Sequence, residues 1–233
     1  MLAAASHTLA GHLYSKLPYD TLRDFTPVSM MLEALVVFAG HPSLPAANLR
    51  ELIAHAKSNP GKLNLASNGN GSNMHLSLEM LKGDAGVDIT HVAYKGVPPA
   101  LTDLIGGHLE MSISGVPILV PHIKSQRLRA IGIGSLKRFP AIPDVPTFDE
   151  SGLKGYEAST WFGLLAPAKT PRDIVTKVNV EVGKVLASKD IRERYLVEGL
   201  EPQGGTPEAF TKFILAEIEL YRKLATAANL PKL

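Results

Sequence analysis

Between Lys62 and Ile133 short runs with apolar residues at alternate positions are separated by stretches carrying a helical apolar stripe, and this succession constrains the fold most. Leu63 and Leu65 alternate, then Met74, Leu78 and Leu81 recur at helical spacing. Val87 and Ile89 alternate, then Leu101, Leu104 and Ile105 form a stripe. Leu109, Met111 and Ile113 alternate before a helix through Ile123, and Leu128 to Ile133 reads as a further strand. Glycines punctuate the units: Gly83 and Gly86 close the first helix, Gly106-Gly107 the second. Strands separated by helices rejoin a sheet as parallel neighbours, because the crossover needs about a dozen residues. The expectation is an α/β fold: a mostly parallel sheet with covering helices.

The flanks read differently. Met1 to Ala5 looks like the tail of a strand entering a loop at Ser6, His7 and Thr8, and Leu17-Pro18-Tyr19-Asp20 is a turn. Pro27 to Gly40 holds two apolar pieces, with Ala34 to Ala39 as a buried strand. Asn48 followed by Glu51 is a capping box. Leu49, Leu52, Ile53 and Ala56 mark the buried face of its helix, which Asn59-Pro60-Gly61 ends. Lys137 to Leu153, rich in Pro, Gly and polar residues, predicts a loop with at most a short helix. Glu157 to Ala166, with Trp161, predicts a buried strand. Thr170-Pro171 and Thr206-Pro207 place a cap residue before a proline suited to the first helical turn. The first of these helices is expected to bury Ile174, Val178, Val182 and Val185. The last carries Phe210, Ile214, Ile218 and Tyr221 and runs to Asn229, with a shorter helix over Asp190 to Glu198 between them. These helices need a sheet supplied by other segments.

Several functions are disfavoured. The chain has 233 residues, a formal charge of +2 and no cysteine. With no cluster of Lys and Arg among aromatics, nucleic acid is not an expected partner. Disulfides, thiol catalysis and Cys-ligated metals are excluded. No apolar run reaches membrane-spanning length. The histidines show no metal-ligand spacing and the carboxylates no acid–base pair, so no metal, cofactor or catalytic residue is assigned.

One turn carries the functional signal. Ala66-Ser67-Asn68-Gly69-Asn70-Gly71-Ser72-Asn73-Met74-His75 joins a strand to a helix. Gly69 and Gly71 permit close backbone approach, Ser72 can cap the helix, and outward N–H groups with the helix dipole favour an anion. An ordinary strand–helix turn gives the same pattern. Tyr94-Lys95-Gly96 is a second such turn, in which Lys95 is either solvated or a Schiff-base lysine.

Read together and in order, Leu17-Pro18-Tyr19-Asp20, Pro60-Gly61-Lys62-Leu63-Asn64, Ser67 to His75, Tyr94-Lys95-Gly96, Pro121-His122-Ile123-Lys124, Pro143-Asp144-Val145-Pro146-Thr147, Trp161-Phe162-Gly163-Leu164 and Gly204-Gly205-Thr206-Pro207-Glu208 form a specific set. The chain resembles the Bug receptors, extracytoplasmic solute-binding proteins of tripartite tricarboxylate transporters. The resemblance implies a two-lobed periplasmic binding protein of the Venus-flytrap, type II-like kind with an incomplete first lobe. Residues 1–41 and 159–233 would belong to lobe one and its crossing strands, and 42–158 to lobe two. A first strand and a glycine-rich loop of lobe one would precede Met1.

The implied ligand is a small carboxylate: a dicarboxylate, a tricarboxylate, an acidic amino acid or an aromatic acid. The implied partners are the transporter's membrane subunits, and the implied location is the periplasm. Expected ligand-facing positions are Ser6, His7, Thr8, Ser67, Asn68, Gly69, Gly71, Ser72, His75, Tyr94, Lys95, Gly96, Ser114 and Trp161, the last more often a core residue. Many relatives carry Asp where Ser114-Gly115 stands here, so an anion-only pocket wall is expected. Two alternatives remain at this level: an anion-binding enzyme using Ser67 to Ser72 with Lys95, and a sensory ligand-binding module.

Overall fold

The computed structural model describes residues 1–227. In chain order the elements are β1 (Leu2–Ala4), α1 (Ala5–Leu13), β2 (Phe25–Gly40), α2 (Leu49–Ser58), β3 (Asn64–Ser67), α3 (Asn73–Ala85), β4 (Thr90–Ala93), α4 (Val97–Ile105), β5 (Met111–Gly115), α5 (Val116–Lys124), β6 (Arg129–Ile133), β7 (Ser159–Pro167), α6 (Arg172–Ala187), α7 (Lys189–Glu198), β8 (Leu200–Gly204) and α8 (Pro207–Ala227). They fall into two compact units, one of residues 1–34 with the chain from Thr160 onward, the other Leu35–Ser159. The first boundary lies inside β2, at Ala34–Leu35, rather than after residue 41. No helix among the described residues is long and apolar enough to cross a membrane.

The Leu35–Ser159 unit is built on a sheet in the order β6-β2-β5-β3-β4. β3 runs parallel to β4 (Leu65 beside His91) and to β5 (Ala66 beside Ser112), as the strand–helix alternation requires. β2 is antiparallel to β5 and β6. Its run Leu35 to Ala39 is apolar throughout because both sheet faces are covered. Val36 and Phe38 join one core layer with Leu49, Leu52, Leu65, Leu78 and Leu81. Leu35, Val37 and Ala39 join the other with Leu104, Leu119 and Ile133. The capping box forms as expected: Asn48 Oδ1 accepts from the Glu51 N–H at 3.0 Å, and Glu51 Oε2 accepts from the Ala47 N–H at 2.7 Å. The segment after β6 lacks regular structure yet is no surface loop, since Phe139, Ile142, Phe148 and Tyr156 are all buried.

In the other unit β1 pairs antiparallel with β7, setting Ala3 opposite Gly163, and β2 pairs with β8, setting Met30 opposite Gly204. Trp161 of β7 is enclosed there, its ring edge-on to Phe210 and Phe213 of α8. Two expectations need correction, and one strand has no local sequence signal. Ser6, His7 and Thr8 form the first turns of α1, not a loop: buried Ala5 and Leu9 give that segment an inward face. On α6 the buried residues are Val175 and Leu186, whereas Ile174 and Val185 are about half exposed, at 48% and 55%; the inward face is rotated from the stripe read in sequence. β8 escaped notice because Leu200-Glu201-Pro202-Gln203-Gly204 has one large apolar residue, so only pairing with β2 makes it a strand. The expected helix end at Asn229 lies outside the described residues.

Glu217 of α8 accepts from Trp161 Nε1 at 2.9 Å. Burial pushes its carboxyl up, and hydrogen bonds from Tyr221 and Trp161 offset this only in part. A carboxyl held above its ordinary value favours folding at acid pH, and that contribution is lost as pH rises through the folded value. Glu217→Gln keeps an acceptor for the indole and removes the charge. The expected outcome is a melting temperature raised by about 2–4 °C at pH 7, the response to about 1 kcal/mol, and little change at pH 4. Calorimetry at both pH values checks this.

Candidate functional site

Three strands of the Leu35–Ser159 unit, β3, β4 and β5, end on the same edge of the sheet, and each runs directly into a helix. Ligands of open α/β sheets bind outside the carboxyl ends of such strands. The connections here are Asn68–Ser72 into α3, Tyr94–Gly96 into α4, and the junction at Gly115 into α5.

The β3–α3 turn is organised by its own side chains. Ser67 Oγ accepts from the Gly69 N–H at 3.1 Å and stands 3.1 Å from the Gly69 carbonyl. The Gly71 N–H donates to His75 Nδ1 at 3.1 Å. The Ser72 N–H donates to the Gly69 carbonyl, and Ser72 Oγ caps α3 by accepting from the His75 N–H at 3.2 Å. Gly71 sits at φ 68° and Gly69 at φ 138°, conformations that side chains disfavour. The expected anion cradle is therefore corrected. The N–H groups of Gly69 and Gly71 point into the turn and hold its shape, because Ser67 and His75 offer them acceptors at closer reach than solvent.

Behind the turn lies a pair that the sequence did not announce. The rings of His75 and His91 stack at 3.7 Å with 9° between their planes. His91 Nε2 stands 2.6 Å from Ser67 Oγ. Burial lowers both imidazoles to about 4. For His75 the nearby Lys82 adds to this; for His91 the His75 ring does, with Lys82, while Glu79 opposes. Both rings are uncharged at neutral pH. Nothing in the local sequence around His91 marks it as part of this site. The missing signal was β-register, since the parallel pairing of β3 with β4 brings His91 within reach of Ser67.

Two polar side chains at this edge lack partners. Ser114, at the end of β5, is fully buried, and its hydroxyl has no hydrogen bond among the described residues. The same holds for the side-chain oxygen of Asn68 at the end of β3. The register that sets Ala66 beside Ser112 carries Asn68 and Ser114 to the same end of the sheet. Buried polar atoms without partners are unfavourable unless something else satisfies them. α4 and α5 begin at Gly96 and Gly115, neither of which supplies a side-chain cap. Pro98, Pro99 and Pro117 supply no N–H to these first turns, and the N–H groups that remain, Val97 and Val116 among them, lack the intrahelical partner that later turns have.

The second connection borders the first: a Cβ on Gly69 would lie 3.5 Å from the Tyr94 carbonyl oxygen. The Tyr94 hydroxyl donates to Asp103 Oδ2 at 2.6 Å, and that bond, with burial, pushes it up to about 12. Tyr94 is thereby tied to α4, while Lys95 is exposed. The structure thus gathers Ser67, Asn68, Gly69, Gly71, Ser72, His75, Tyr94, Lys95, Gly96 and Ser114 around one sheet edge. The remaining expected positions belong to the other unit. His7 is buried and stacked on Tyr19 at 4.7 Å, Thr8 Oγ1 donates to the Ala5 carbonyl, and Ser6 is exposed on α1. Trp161 is committed to the core and to Glu217. Among the described residues no group of three or more His, Asp or Glu could hold a metal ion.

The sequence profile of the TctC group, described as tripartite tricarboxylate transporter family receptor, matches residues 1–230. The UPF0065 protein in the tcbD-tcbE intergenic region of Pseudomonas sp. strain P51 is 37% identical over 212 residues, which make up 91% of this chain and 63% of that protein. The chain thus spans less than two thirds of that relative's length. Among solved structures, R. palustris Rpa4515 with adipate superimposes with a TM-score of 0.92 at 33% identity, covering 100% of this chain and 78% of that one. The periplasmic binding protein BugD gives 0.88 at 31% identity, covering 100% and 78%. On a match running almost end to end, and on a fold shared with solute-binding proteins, this chain belongs to the tripartite tricarboxylate transporter receptor family, a family of receptors and not of enzymes.

Proposed function

We propose that the sheet edge formed by β3, β4 and β5 is part of the binding site of a periplasmic receptor for a small dicarboxylate, delivered to the membrane subunits of a tripartite transporter. The observation that carries this reading is the fully buried, unpartnered Ser114 hydroxyl next to the uncapped start of α5, on the sheet edge where α4 also begins without a side-chain cap. A hydroxyl and first-turn N–H groups all donate, and a carboxylate offers only acceptors. Asn68 can present its amide N–H to the same space by rotating half a turn. No acidic side chain stands at Ser114, so nothing there selects an amino group. The similarity to a protein solved with adipate supports the ligand class.

Isothermal titration with adipate, succinate, citrate, glutamate and glucose tests the proposal. Adipate or succinate should bind, glucose should not, and a metal chelator should change nothing. Ser114→Ala removes one donor. It should weaken binding roughly three- to tenfold, the equivalent of about 0.5–1.5 kcal/mol for a hydrogen bond. A sugar that binds while every acid fails, or binding lost in chelator, overturns the reading.

A further inference from the structure

The stacked imidazoles are each tied to the β3–α3 turn by a ring nitrogen, His75 to the Gly71 N–H and His91 to the Ser67 hydroxyl. We propose that His75 and His91 are positioning residues: an uncharged pair whose ring nitrogens hold Gly71 and Ser67 in the ligand-ready shape, so that the turn keeps that shape only while the pair is neutral. This deepens the reading of the sheet edge as a carboxylate site and rests on it.

The hydrogen-bond accounting supports the proposal. The Gly71 N–H has one donor proton and spends it on His75 Nδ1, which must therefore be bare. The proton of neutral His75 then sits on Nε2, 3.8 Å from Glu79 Oε1. If His91 Nε2 carries its proton, it donates to Ser67 Oγ, and the Ser67 hydroxyl donates in turn to the Gly69 carbonyl. Ser67 then accepts twice and donates once, and both glycines are fixed through the two rings. Protonating His75 places an N–H on Nδ1, facing the Gly71 N–H donor to donor. That contact cannot persist, and the turn must open. Protonating both rings sets two positive charges face to face at 3.7 Å.

Among the described residues, the charged or titratable groups acting on the pair are Glu79 and Lys82 of α3, together with each ring on the other. Glu79 is itself paired with Lys82 at 2.9 Å, which limits its pull on a protonated imidazole. An open turn with solvated rings takes up protons below the ordinary histidine value of 6.5. The closed turn resists them down to about 4. The closed form therefore loses ground as pH falls through this window, and the loss steepens when two protons are taken up together.

Nitrogen-15 NMR of the ligand-free protein, with long-range ring spectra and Gly71 amide exchange, tests the pair without any ligand. His75 Nδ1 should be unprotonated at pH 7, and both rings should titrate below pH 5. Asparagine at position 75 places an oxygen near the position of Nδ1 and cannot be protonated. His75→Asn should keep the Gly71 amide protected, whereas His75→Phe, which keeps a stacking ring without an acceptor, should expose it while circular dichroism shows a folded protein. With adipate as the probe, His75→Asn should bind within about threefold of wild type at pH 7, and His75→Phe at least about tenfold more weakly. At pH 4 wild type should fall about tenfold below His75→Asn, a ratio that cancels the titration of adipate itself. A His75 titrating near 6.5, an Nδ1 protonated at pH 7, or equal Gly71 protection in His75→Phe overturns the pair. Failure of adipate to bind wild type with the ring and exchange results intact overturns the dicarboxylate reading and leaves the pair standing.

Discussion

Valine at position 71 is expected to weaken adipate binding by about ten- to a hundredfold while the protein stays folded. Gly71 adopts φ 68°, the left-handed region. An L residue there costs roughly 1–2 kcal/mol, and a β-branched one more, because its second γ-carbon crowds the backbone. The turn relieves that strain by giving up the left-handed conformation, and the Gly71–His75 hydrogen bond goes with it. At about 1.4 kcal/mol per factor of ten, one to two decades of affinity follow. Asparagine tolerates the left-handed region far better, so Gly71→Asn should lose much less. Lys95→Ala is the control on the same edge. Lys95 is exposed, its attraction for an anion is screened beyond about 8 Å at physiological salt, and its removal should change affinity by less than about threefold. Calorimetric titration of the three variants, with circular dichroism for folding, decides among these outcomes. Normal binding by a folded Gly71→Val, together with abolished binding in Lys95→Ala, would transfer the function from the backbone turn to the lysine.

That mechanism differs from the one the sequence suggested, and the difference shows where local patterns stop being informative. The α2 helix and the β3, β4 and β5 strands with their helices were legible because the Asn48–Glu51 box, apolar spacing and Gly stops are all local signals. The position of the turn was legible for the same reason. Its hydrogen bonding was not, since Gly71 is satisfied by a ring on the next helix and Ser67 by a ring on the neighbouring strand. The contact of His91 with Ser67 depends on parallel register, which periodicity does not encode. β8 exists only through its partner, and the inward face of α6 is set by packing at Val175 and Leu186. Ser6 to Thr8 illustrates the reverse case. Small polar residues favour a loop reading, yet Ala5 and Leu9 supply enough buried surface to close a helix.

The largest stability effect is expected where that local reading was weakest, in the segment after β6. Phe148 is fully buried, with ring centroids 4.5 Å from Phe38 and 4.9 Å from Tyr156. Its ring lies over Gly132 of β6, where a Cβ would come within 2.4 Å of it. Gly132 is therefore glycine because the aromatic plate occupies the space above the strand, and the irregular segment is pinned there as firmly as a helix would be. Phe148→Ala removes the plate from a core layer that cannot fully collapse. The Leu35–Ser159 unit should lose about 3–5 kcal/mol. Gly132→Ala, by contrast, forces the ring aside and should lose about 1–3 kcal/mol through overpacking. The two changes share one space, so they should not add. In the Phe148→Ala background the new methyl of Gly132→Ala meets no ring and fills part of the cavity, and the second substitution should be neutral or restoring. Urea unfolding of the four proteins gives the coupling directly, with about 1–3 kcal/mol expected for residues in contact. Strict additivity would mean that Phe148 does not rest on Gly132 and that the segment after β6 is a loop after all.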